Sequence, residues 1–331
     1  MGGWVSYLMM ALFKQKPNAR WAWIGAAILA LAFPALVGFD GYVCHVAVLV
    51  LLYVALALGL NVVPGFTGLL DLGYVGFYAV GAYTAGLLSL NWGVSFWLIL
   101  PLAAFNGALW GVLRGAPTLR LTGDYFAIVT FGFSELVVMV AKNETWLTRG
   151  PMGLPGIPPP SAFGVSFRGE LPFYYLILTV VAVLVVAVRR IADSRVGRAW
   201  FAIREDEVAA EACGIDIARY KVAAFALSAA IGSVAGAFYA HWITFISPNT
   251  FQFWESVLVL CMLVLGGMGS IPGAILGAAI LVSLSEILRS ALGQFGLPED
   301  TRFLFFGVVM ILMMRFRPEG LLPVKAKTIA N

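Results

Sequence analysis

Hydrocarbon offers no partner for a backbone N–H or C=O, so a segment that crosses a bilayer must satisfy both kinds of group within itself. About ten runs of mostly apolar residues, each near the ~20 that span a hydrocarbon core, begin near Trp21, Tyr42, Gly73, Phe96, Asp124, Pro172, Lys221, Ser256, Gly273 and Arg302. Apolar residues make up 61% of the chain, and the mean hydropathy is +0.92. Soluble domains use roughly 45–50% apolar residues. The expected fold is all-α: a single polytopic transmembrane domain over residues 1–331 with about ten helices. The segments near Gly73 and Ser256 adjoin glycine-rich stretches and are expected to be broken or re-entrant.

The cations orient this body. With the N-terminus inside, Lys14, Lys16, Arg20, Arg114, Arg120, Arg189, Arg190, Arg195, Arg198, Arg204, Arg219, Lys221, Arg315, Arg317, Lys325 and Lys327 face the cytoplasm. Only Lys142, Arg149, Arg168, Arg289 and Arg302 remain outside. Both termini (1–20 and 316–331) and a polar insert over 190–220 are therefore expected in the cytoplasm, with a periplasmic loop over 142–171. The isoelectric point near 9.0 follows from this bias and does not imply nucleic acid. The opening residues, MGGWVSYLMMALF, lack the basic start and cleavage site of a secretory signal and read as an interfacial helix. Cys44, Cys213 and Cys261 are too widely spaced for a metal or redox motif.

The insert carries a large share of the charge in a chain that is only 11% charged, so it is built to meet something outside the membrane. Ser194 or Asp193 is placed to cap a helix start, WFAIREDEVAAEAC is rich in helix formers, and Gly214 offers a left-handed stop. A short helix from Ile203 to Gly214 is expected. Its alanines, Ala199, Ala202, Ala209, Ala210 and Ala212, leave little bulk and suit a groove in a partner.

Two glycine-dense segments occupy corresponding places: GFTGLLDLGYVGFYAVGAY, from Gly65 to Tyr83, and GGMGSIPGAILGAAI, from Gly266 to Ile280. Close helix packing explains most of these glycines. Five helices per half is an odd number, so a repeat of that length would be inverted, and broken helices at such an axis line transport paths. Gly65, Thr67, Gly68, Gly76, Tyr83, Gly266 and Gly267 are the path candidates. Glu135, deep in the fifth run, is the ionisable residue best placed to line a polar cavity. Asp124 reads as a helix cap. Asp71 is placed either to cap a short helix or to answer an arginine, Glu286 and Arg289 to pair, and His45 and His241 to serve as hydrogen-bonded structural residues.

The chain has no phosphate-binding loop, HExxH or GxSxG, so it carries no catalytic residues and should hydrolyse neither ATP nor peptides. It has no acidic relay for protons either. A transporter so built needs energy from a partner.

The charged run followed by Ala209, Ala210 and Gly214 resembles the EAA loop of ABC importer permeases, the helix that docks in a cleft of the ATPase subunit, with Val208 where that pattern has Glu. GRAWFAIREDEVAAEACGI, LTGDYFAIVTFGF, the two glycine segments and RFRPEGLL all resemble the LivM-type permeases of branched-chain amino acid importers, from about Asn61 to Leu322. The resemblance implies a bacterial inner-membrane permease paired with a LivH-type permease, two ATPase subunits that hold ATP and magnesium, and a periplasmic binding protein. It places ATPase coupling at Arg198, Ala202, Arg204, Glu205, Asp206, Ala209, Ala210 and Gly214, and binding-protein docking at Glu144, Arg149 and Arg168. Arg149 stands where the family carries the first of two glycines. The expected cargo is Leu, Ile and Val, with urea or a short amide as the alternative. An ion-coupled transporter acting alone, or a membrane enzyme or scaffold, fits less well.

Overall fold

The computed structural model describes residues 19–119, 121, 123–162, 165–167, 169–294 and 301–323. Among the described residues, the α-helices longer than one turn are α1 (Ala19–Leu36), α2 (Gly41–Asn61), α3 (Val75–Trp92), α4 (Phe96–Thr118), α5 (Asp124–Asn143), α6 (Glu170–Ala192), α7 (Arg195–Glu205), α8 (Glu207–Ala212), α9 (Ile217–Ile243), α10 (Phe253–Gly266), α11 (Ile271–Gln294) and α12 (Thr301–Phe316). Each of the ten expected apolar segments is helical. Among the described residues, six segments are long and apolar enough to cross a membrane: Gly41–Thr67, Phe96–Thr118, Tyr125–Asn143, Glu170–Ala192, Ile217–Ile243 and Ile271–Arg289. The interfacial helix expected near the N-terminus, and Arg168, lie outside the described residues.

Helix α9 is the axis of the body and packs on α2, α3 and α4. It gets close to them because glycines remove the bulk between backbones. A Cβ on Gly81 or Gly107 would overlap Ser233, one on Gly111 would overlap the Phe225 carbonyl, and one on Gly236 would overlap the Tyr78 carbonyl. In lipid, helices gain little from burying apolar surface, so this close fit is what holds them together.

Two places break the helical pattern inside the body. Helix α2 widens into a π-helix over Val62–Thr67 and ends at Gly68, whose φ of 77° is left-handed. Pro64 has no N–H and its ring would crowd a carbonyl one turn back, which disfavours an ordinary α register there. The chain then runs non-helically to α3. In the second half, Phe251 is fully buried with its ring on Tyr78 and Tyr83 of α3. Helix α10 starts beside it, has 14 residues and spans roughly 21 Å at ~1.5 Å per residue, short of a full crossing. Non-helical backbone at such depth is tolerated because protein encloses it.

A buried ion pair braces the first break. Asp71 accepts two hydrogen bonds from Arg114 on α4, and the carboxylate also accepts from the Gly73 N–H at 2.9 Å. Asp71 thus answers an arginine, one of its two expected roles; the other is not met, since Tyr74 is the cap residue of α3 and its side chain makes no cap hydrogen bond. The pairing also shows that Arg114 is not an exposed cation: it is buried under Phe77, Phe133 and Phe225. Lys221 is buried as well and donates to Glu207 at 2.5 Å.

Candidate functional site

The polar insert joins α6 to α9, and the loop over 142–171 lies at the other end of those two helices. Three capping side chains in succession shape the insert. Ser194 accepts from Val196 N–H and starts α7; Asp206 accepts from Val208 and Ala209 N–H and starts α8; Asp216 accepts from Arg219 N–H and starts α9. The single helix expected from Ile203 to Gly214 is therefore two. Asp206 is extended, with φ −158° and ψ 113°, because a capping carboxylate needs that backbone to reach the next two amides. Gly214 is left-handed at φ 83°, as expected, with open space around it.

The break turns α7 and α8 to different tasks. Helix α7 faces the membrane body: Ala199, Trp200 and Ile203 are buried, Trp200 donates to the Tyr220 carbonyl at 2.7 Å, and Phe66 of the π-helix packs on Trp200 and Phe201. Arg204 reaches the same π-helix and donates to the Gly65 carbonyl at 2.6 Å, its stem lying on Gly68. A cation at a helix C-terminus meets the negative end of the helix dipole.

Helix α8 faces outward. Val208 is 77% exposed, and Ala209, Glu211 and Ala212 are exposed beside it, whereas Ala210 is buried against the body. Ala210 was expected on the docking face; it belongs to the other side because it lies one position from Ala209 on a helix of 3.6 residues per turn. Val208 was missed because it was read only as a departure from a motif. Its exposed apolar side chain among acids was the available signal. Beside it, a cavity of about 510 Å³ opens among Glu207, Glu211, Asp216, Ile217 and Leu119. Arg198, Glu205 and Asp206 are exposed, and Ala202 is half-buried.

The two glycine segments meet. Asn61, at the end of α2, is fully buried and accepts from the Gly269 N–H at 2.7 Å across 208 residues of sequence. Gly65 packs against both Asn61 and Gly269, and a Cβ there would overlap them. Gly266 packs on Gly273, and Gly267 on Leu322 and Glu319, while Gly76 packs on Phe133 and Ser134 of α5, so these three act in close contacts. Thr67 donates to the Val63 carbonyl, Tyr83 is buried with its ring on Phe251, and Glu135 is half-buried. The Leu321 and Leu322 N–H groups donate to the Leu265 and Gly266 carbonyls, satisfying the end of α10.

At the opposite end, Arg149 is left-handed at φ 59° and exposed, Glu144 accepts from Trp146 at 2.6 Å, and Gly156 and Ile157 donate to the Thr244 carbonyl at the end of α9. His45 pairs with Glu170 at 3.0 Å, and Trp242 donates to the same carboxylate. His241 bonds the Ala237 carbonyl. Glu286 and Arg289 approach to 4.0 Å. Asp124 is the first residue of α5, and Gly123 takes the cap position.

The permease protein LivM of the high-affinity branched-chain amino acid transport system of Escherichia coli is 41% identical over 323 residues, 91% of this chain and 74% of the relative. The LivH permease protein of the same organism is 26% identical, covering 82% of this chain and 91% of its own length. The autoinducer 2 import system permease protein LsrC of an Enterobacter species is 26% identical over 61% of this chain and 58% of its own length. No solved structure matches. The family described as branched-chain amino acid transport system, permease component, matches residues 42–314, and the chain belongs to it.

Proposed function

We propose that this chain is one of two permease subunits of an ATP-driven importer of the bacterial inner membrane and that it carries branched-chain amino acids delivered by a periplasmic binding protein. The outward face of α8 carries the reading. Exposed Val208, Ala209 and Ala212 form a small apolar ridge with acids on its rim, the shape and chemistry of an element that seats in a partner's groove. That partner is an ATPase subunit, one of two, which holds ATP and magnesium. Arg198, Arg204, Glu205, Asp206 and Gly214 frame the ridge, and Ala202 and Ala210 support it from beneath. The other permease subunit is LivH-type.

In this reading both termini and the insert are cytoplasmic, and α1 to α6 and α9 to α12, without the insert, supply ten membrane segments in two inverted halves. The two breaks, one in each half and in contact through Asn61 and Gly269, support that symmetry. The path runs beside them, past Gly65, Thr67, Gly68, Gly76, Tyr83, Glu135, Gly266 and Gly267. The binding protein docks on the loop that carries Glu144, Arg149 and Arg168.

Urea or a short amide is the alternative cargo. Reconstitution with a LivH-type partner, both ATPases and the binding protein separates the readings. Uptake of labelled leucine that needs ATP supports this one. Uptake of urea but not leucine would replace the cargo, and leucine uptake by this chain alone would replace the class.

A further inference from the structure

We propose that Asn61 is the joint between the two glycine breaks and Arg204 the joint between the first break and the insert, so that movement of α7 reaches both breaks through two hydrogen bonds. The proposal rests on the coupling role of the insert.

The contacts form a continuous series. Arg204 on α7 donates to the Gly65 carbonyl; Gly65 lies on Asn61; and Asn61 accepts from the N–H of Gly269 in the turn between α10 and α11. Each side of the series is hinged. Gly68 has φ 77°, and Gly267 and Gly269 have φ 115° and 86°, conformations that glycine enters and leaves at little cost. The π-helix between the joints is a locally widened turn of the kind that marks functional sites.

Asn61 also shows why the joint can switch. Its Oδ1 is paired, but its Nδ2 is buried and has no partner. A fully buried amide with an unused donor is short of its best arrangement. If α7 withdraws, the Gly65 carbonyl loses the Arg204 donor and becomes a buried acceptor on a residue packed against that amide. A donation from Asn61 Nδ2 to Gly65 would then satisfy both groups. The two arrangements differ by one exchange of donors at the same carbonyl, which is the bistable element that coupling between distant sites requires.

The test is hydrogen exchange in the whole importer complex in nanodiscs, with and without a non-hydrolysable ATP analogue, read at peptides covering 62–68 and 266–270. In the wild type both segments should respond together, by about fivefold or more. In Arg204→Met both should fall silent. In Asn61→Leu the first should respond and the second should not. Asn61→Asp keeps the acceptor and loses the donor, so its resting protection at 266–270 should match wild type while the response is lost. Cargo moved per ATP should fall about fivefold or more in all three variants. A wild-type response of both segments in Asn61→Leu overturns the proposal. If that variant does not assemble, the same response in Asn61→Asp or Arg204→Met overturns it. Failure of the wild-type complex to take up any cargo with ATP would overturn the importer reading, and the joint with it.

Discussion

Asp71 and Arg114 face each other through two hydrogen bonds inside the helical body, both side chains almost fully shielded. A lone charge at such a place is far more costly than a pair, so removing one partner leaves the other uncompensated, at ~3–5 kcal/mol. Asp71→Asn and Arg114→Met should each sharply lower the thermal stability of the purified complex. The double variant Asp71→Leu with Arg114→Met should be milder than either. Equal losses in all three would show that the pair serves only as packing.

The ridge on α8 gives a second prediction. Val208→Asp or Ala209→Trp should weaken retention of the ATPase about tenfold or more on purification, or ~1.4 kcal/mol. Ala210→Trp should act differently, because Ala210 is buried against the body: it should distort the insert, at ~1–3 kcal/mol of overpacking, and lower the stability of this chain by itself. Glu205→Gln, on the exposed rim, should change retention by ~0–1 kcal/mol at most.

Orientation is tested at Cys213, which is exposed, whereas Cys44 is buried and Cys261 is partly shielded. A membrane-impermeant maleimide should label Cys213 in inside-out vesicles and leave intact spheroplasts unlabelled. Labelling from outside would reverse the orientation of the insert.

Arg149 supplies a fourth. A left-handed backbone costs a residue with a side chain ~1–2 kcal/mol, which glycine avoids. Arg149→Gly should therefore raise the stability of the complex or leave it unchanged. It should also reduce stimulation of ATP hydrolysis by the loaded binding protein, because an exposed cation is lost from the loop proposed to dock it. Thermal unfolding and stimulated hydrolysis, measured on one preparation, separate the two effects.

The helical body was legible in the apolar runs because a span is specified by length and composition, both local properties. The starts near Phe96 and Asp124 coincide with helix starts for that reason. The caps at Ser194 and Gly214 were legible too, since each is decided by one residue's own chemistry. The break at Asp206 was not, because a run of good helix formers hides a capping carboxylate that competes with the helix it interrupts. Burial of Arg114 was equally hidden: a cation near the end of an apolar run looks the same whether it faces water or a carboxylate 43 residues away. The contact between Asn61 and Gly269 is set only by how the halves pack, which no local pattern contains.

The hydrogen bonds from Leu321 and Leu322 to the end of α10 have a consequence for biosynthesis. The carbonyls of Leu265 and Gly266 emerge from the ribosome more than 50 residues before the amides that satisfy them. Until Leu321 and Leu322 arrive, the end of α10 is an open acceptor site in a nascent protein. The second break therefore closes only after α12 has been made, and a ribosome stalled after α11 would hold a chain in which the end of α10 still lacks its hydrogen-bond donors.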